Sequence, residues 1–222
     1  MTELDSWHAQ VSEDIIEPER PIIDPHHHLW RMGTPYELED LWADTKAGHN
    51  ITGTVFIECG AEYRTDGPVA LQPVGETEYV VAQAKQARKG EAPGKPPILG
   101  IVSHADLTLG AAVVDVLEAH QESAEGLLRG IRHSTAFYPD PPAVDRYAGR
   151  IAELMLQPGF REGFAQLSSA GLSYDAWLLH TQITELTDLA RAFPDTTIIL
   201  DHFGGPLGIG PYSGKQAELF PQ

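Results

Sequence analysis

Six short apolar runs, four of them followed by a loop and then an amphipathic stretch, constrain this chain more than any other feature of its sequence. The runs are Pro21–Asp24, Thr54–Cys59, Ile98–Ser103, Leu127–Arg132, Leu172–Leu178 and Thr196–Leu200. Their nearly unbroken β-branched and leucine content suits strands buried on both faces. Between them, Glu76–Arg88, Leu109–His120, Tyr147–Leu156 and Ile183–Phe193 space their apolar residues as helices do, and Pro194 stops the last. The stretch 89–97, rich in Gly, Pro and Lys, reads as a surface loop. Strand–helix alternation of this kind predicts an α/β fold with a parallel sheet and right-handed crossovers.

Two architectures compete, an open doubly wound sheet and a closed (β/α)8 barrel. A dinucleotide-binding open sheet needs a glycine-rich turn after its first strand. Here His26, His27 and His28 stand in that place, which favours the barrel. A full barrel takes about 250 residues, and this chain has 222. The expectation is therefore an incomplete barrel of about six strand–helix units over residues 20–222, preceded by a polar extension over 1–19.

The formal charge of −17 repels phosphate backbones and anionic lipid heads, so nucleic acid and membrane surfaces are poor partners. A small-molecule substrate is the partner expected instead. Cys59 is the sole cysteine, which excludes an internal disulfide, and its apolar run suggests a buried, inert thiol. The first 20 residues carry no apolar signal-peptide core, and no apolar run approaches the ~20 residues of a membrane span. A cytoplasmic location follows as the default expectation.

The chemistry concentrates at strand ends. In Asp24-Pro25-His26-His27-His28, alternation turns His26 and His28 to one face and His27 to the other. Their Cα atoms then lie ~6.6 Å apart at a rise of ~3.3 Å per residue. Imidazoles so placed can converge on one zinc ion at about 2.0–2.1 Å each. His202 ends another apolar run, and Gly204-Gly205-Pro206 supplies a sharp exit. The same alternation rule sends Asp201 to the face opposite His202.

The pair His26-x-His28 and the segment Asp201-His202-x-Gly204-Gly205-Pro206 resemble the amidohydrolase-related subfamily of TIM-barrel hydrolases. The segments 73–79, 130–133 and 172–177 are similar to that group as well, and the resemblance runs from about Arg20 to Pro206. It implies metal-ligating or carbonyl-binding roles for His26, His28 and His202, with one divalent ion, zinc first, or with no metal. The implied reaction is water attack on a lactone or similar small acyl carbon. A metal-dependent decarboxylase and a non-catalytic ligand-binding remnant are the alternatives.

Arg132 is the candidate for a substrate carboxylate or developing oxyanion, or else for a structural ion pair. Asp175 is placed to orient a neighbouring His or Arg, Glu76 to contact substrate or cap its helix, and Tyr63 and Trp30 to wall the pocket. Two departures from the family pattern stand out. Arg132-His133 and Asp175 occupy positions where many members carry a metal-bridging Lys or a His, which argues against two metals. The acid that the family places after strand eight would lie beyond Gln222. The expectation is a C-terminally truncated chain with open sheet edges, free to self-associate and poorly active as a monomer.

Overall fold

The computed structural model describes residues 6–7, 9–11, 13–90, 92–139 and 150–219. Six strands form one sheet in the order β1 (Ile22–His27), β2 (Ile51–Ile57), β3 (Ile98–Ser103), β4 (Leu128–Arg132), β5 (Ser173–Ala176) and β6 (Ile198–Leu200). Every neighbouring pair is parallel. Sequential order with a helix in each main crossover is the connectivity of a (β/α) barrel, here curled through six strands. The sequence expectation of an incomplete barrel holds.

Helices α1 (Leu38–Thr45), α2 (Val74–Lys89), α3 (Val113–Ser123), α4 (Pro158–Ser169), α5 (Ile183–Ala192) and α6 (Gln216–Leu219) follow in chain order. Each longer helix buries one apolar stripe against the sheet. In α4 the stripe is Phe160, Gly163, Phe164 and Leu167, spaced for one face. Phe160 and Phe164 meet the buried ring of Tyr174 on β5 edge-on, at 6.1 and 5.1 Å, a favoured aromatic arrangement. A second cluster packs Leu38, Leu41 and Trp42 of α1 and Val80 and Ala84 of α2 with Phe56 and Ile101.

Three sequence expectations change. The helix expected over Tyr147–Leu156 lies partly outside the described residues, and Leu154–Leu156 is a single 3-10 turn. The true helix starts at Pro158, whose ring fixes φ at the first helical position, while Glu153 sits at a φ of 53° and breaks any continuation from upstream. Helix α1 fills a span where the sequence suggested no element, and its start is held by the Asp40 carboxylate accepting from the Glu37 N–H at 2.9 Å. Strand β1 runs on to His27, so His26 sits within the ladder rather than beyond it.

Strands β1 and β6 are the edges of the sheet. Their apolar residues are accordingly open: Ile23 is 54% exposed, Ile199 46% and Leu200 44%. None of the described helices is long and apolar enough to cross a membrane.

Candidate active site

The C-terminal ends of the strands carry the histidines and charged groups, as barrel chemistry requires. His26 on β1 and His28 just beyond its end lie together, their rings perpendicular with centroids 5.0 Å apart. His27 points the other way, buried, its ring edge-on to Phe56 at 5.9 Å. His202 comes to within 4.8 Å of His26, ring to ring. His26 is therefore in ring contact with both His28 and His202.

Asp201 corrects the expectation from strand alternation. It turns inward and is buried, and a donor atom each from His26, Asp201 and His202 lie within 4.8 Å of one another. Alternation fails because it presumes extended backbone, whereas His202 and Phe203 adopt left-handed φ values of 49° and 54°. Non-glycine residues there cost roughly 1–2 kcal/mol each, a strain typical of functional turns. The turn swings His202 against the edge of Trp177, at 4.9 Å.

Arg132, at the end of β4, holds the centre. Its Nε donates to Glu58 Oε1 at 2.7 Å, its Nη1 to Asp201 Oδ2 at 3.3 Å, and its Nη2 to the Glu58 carbonyl. Nη1 also lies 3.4 Å from His26 Nε2. The guanidinium is thus held by Glu58 and Asp201 at the mouth of the strands. Asp175, its register partner on β5, is pushed up to about 7 by burial first and by Asp201 second.

Two of these histidines, His26 and His28, are tuned toward neutrality. His26 is lowered to about 4, by burial and then by His28. His28 is lowered mainly by burial, and its Nδ1–H donates to the Ile57 carbonyl at 2.7 Å. That bond fixes the tautomer and leaves Nε2 as a free lone pair, the usual preparation of a metal-binding imidazole. The donor set fits a divalent ion: two imidazoles and a carboxyl group already gathered around one point.

The remaining sequence candidates are spread more widely. Glu76 is buried and accepts from the Cys59 and Ala61 backbone N–H groups at 3.0 and 2.7 Å, bracing the loop after β2. Burial raises it to about 7. Tyr63 borders a cavity of about 520 Å³ at the strand ends, together with Glu58, His104, Arg132, His133 and Trp177. Trp30 stacks on Tyr36 at 5.1 Å and borders a separate cavity of about 370 Å³ beside His26 and His28. Cys59 is exposed rather than buried. Its thiol is nonetheless pushed up to about 12, by desolvation and then by Glu76, and so stays protonated at neutral pH.

His104 and Glu58 are the residues that sequence reasoning missed. Both directly follow an apolar run, β3 and β2, which is the signal that singled out His26 and His202. Behind His104 lies a buried chain. Ser103 Oγ donates to Thr77 Oγ1 (2.7 Å), which donates to His120 Nδ1 (2.8 Å), and His120 Nε2–H donates to the His104 carbonyl (2.9 Å). His120 is fully buried and lowered to about 4, by burial above all. The neutral form is favoured in the fold, so this contribution is complete above pH 6.5 and is lost as pH falls through 4. Acidification across that window is expected to remove about 3 kcal/mol through His120. Urea midpoints measured at half-unit steps, wild type against His120→Gln, check this: the variant's midpoint should fall less steeply between pH 6.5 and 4.

A family model described as amidohydrolase matches residues 23–219, and the chain belongs to that family. An uncharacterized protein, y4mH, of Sinorhizobium fredii (strain NBRC 101917 / NGR234) is 33% identical over 206 residues, covering 82% of this chain and 62% of that one. The solved amidohydrolase of Burkholderia multivorans with bound HEPES superposes with a TM-score of 0.55 at 20% identity, over 82% of this chain and 57% of its own. In another crystal form that protein carries bound zinc, with a TM-score of 0.53 at 18% identity and the same coverage. A putative 2-pyrone-4,6-dicarboxylic acid hydrolase of Pseudomonas putida gives 0.53 at 16%, over 83% of this chain and 57% of that one. The chain thus spans under two thirds of the length of each.

Proposed function

We propose that this chain carries the carbonyl-activating part of an amidohydrolase-type hydrolase, acting on a lactone or similarly small acyl compound by attack of water. The observation that carries the reading is the meeting of His26, Asp201 and His202 donor atoms within 4.8 Å at the strand ends. These three, with His28 beside them, would hold one divalent ion, and a His-and-carboxylate set of this size suits zinc. Bound there, such an ion supplies Lewis acidity and lowers the pKa of water toward 7.

The protein's own residues do the rest. The Ile57 carbonyl keeps the His28 proton on Nδ1 and Nε2 turned out. Arg132 restrains Asp201 and His26, and Glu58 balances its charge. The neighbouring cavity of about 520 Å³ accepts a ligand of a few ring atoms and partly screens it from water.

Hydrolysis without a metal is a second reading with one observation in its favour. The Arg132 guanidinium already faces His26 and Asp201 at 3.4 and 3.3 Å, a fixed positive charge beside the point where an oxyanion would form.

Calorimetric titration with zinc, paired with a pH-stat assay on δ-valerolactone, separates the two. The main reading expects one equivalent of zinc bound, and an affinity loss in His26→Ala or His202→Ala beyond the ~10–100-fold typical of outer-shell changes. Acid release that persists after chelation, with no zinc bound, selects the metal-free reading. Zinc binding without acid release from any small lactone defeats the hydrolase assignment, and release of carbon dioxide from carboxylate substrates turns it to decarboxylation.

A further inference from the structure

His104 and His133 face the same cavity from the ends of β3 and β4, with ring centroids 5.4 Å apart and planes 75° from each other. Each has its Nδ1 committed to backbone, but in opposite senses. His104 Nδ1 lies 3.0 Å from the Arg132 carbonyl, which can only accept, so this nitrogen carries the proton. His133 Nδ1 accepts the Leu107 N–H at 3.1 Å, so its proton sits on Nε2. Burial, then His104, lowers His133 and keeps it neutral. The pair therefore offers one lone pair, on His104 Nε2, and one N–H, on His133 Nε2.

We infer that His104 and His133 form a specificity pair for a group that both donates and accepts a hydrogen bond, an alcohol-type hydroxyl, on the ligand beside its reacting acyl group. A carboxylate matches the pair poorly, since it accepts only and would meet the His104 lone pair. Arg132 does not reverse this, because its N–H groups are already given to Glu58 and Asp201. Arg150, at the rim, donates to Ser134 Oγ. The tautomers are held from behind: His120 pins the His104 carbonyl at 2.9 Å, and Asp106, whose Oδ1 lies 3.7 Å from His133 Nδ1, takes the Thr108 N–H and hydroxyl instead.

The inference rests on the acyl-hydrolase reading for the nature of the ligand, but its test needs no turnover. Long-range 1H–15N spectra of the uniformly labelled protein at pH 7.5 report imidazole tautomers directly, with His104→Gln and His133→Gln assigning the signals. The expected result is Nδ1–H for His104 and Nε2–H for His133. Titration with 2,3-dihydroxy-γ-butyrolactone should then shift both Nε2 signals and show at least tenfold tighter binding than γ-butyrolactone, about 1.4 kcal/mol.

His133→Phe should abolish that preference while the His28 and His120 signals, which report the fold, stay in place. Matching tautomers, equal affinity for the two lactones, a stronger response to succinate, or no response to any probe overturns the inference. Failure of the hydrolase reading looks different: the hydroxylated probe shifts both rings as expected, yet no lactone is opened.

Discussion

Replacing Arg132 with alanine is expected to lower stability by about 3–5 kcal/mol, the largest single effect in the strand-end network. The Arg132 side chain is 8% exposed, and its removal strands Glu58, 15% exposed, and Asp201, 3% exposed, without a counter-charge. Asp175, raised partly by Asp201, would then face an unneutralised neighbour and be raised further. Denaturant melts give the magnitude, and their pH dependence identifies the cause. A raised carboxyl favours the protonated form in the fold, so the deficit of Arg132→Ala should shrink as pH falls below 7. Lysine should restore only part of the loss, since one ammonium cannot reach both carboxylates with the two-sided fork of a guanidinium.

Gly205→Ala ranks second. A Cβ at this position would lie 2.1 Å from the Leu178 carbonyl oxygen, a backbone atom with little freedom to yield, and the residue holds φ at +57°. Left-handed strain of roughly 1–2 kcal/mol and overpacking of about 1–3 kcal/mol add to an expected loss near 2–5 kcal/mol. Gly204 provides the internal control. Its φ is also positive, but its added Cβ would meet the flexible Ile183 Cδ1 at 3.0 Å. Gly204→Ala should lose little beyond the strain, so the difference between the two melts isolates the carbonyl contact. Displacement of the turn should also weaken zinc binding in Gly205→Ala more than in Gly204→Ala.

Much of this fold can be read along the chain because buried parallel strands are nearly continuous apolar runs. Ile98–Ser103 appears with the limits that the sequence suggests. The convergence of His26 and His28 follows from the two-residue period of a strand, which is a local rule. Asp201 escaped the same rule because its successor leaves extended geometry, and no periodicity in Asp201-His202-Phe203 announces a left-handed turn. The partners of Arg132 were equally hidden. Glu58 and Asp201 lie 74 and 69 residues away and become neighbours only when the sheet curls. Helix α4 was misplaced for the opposite reason: apolar spacing upstream imitated a helix, and the helix itself starts only at Pro158.

The ring pair His26 and His202 joins the first strand to the turn just beyond the last, two edges that share no ladder among the described residues. A ligand gripped by both would act as a buckle across an open hoop. Its occupancy would then be felt as mechanical tightness of the whole sheet, worth about 2.7 kcal/mol at a hundredfold excess over the dissociation constant.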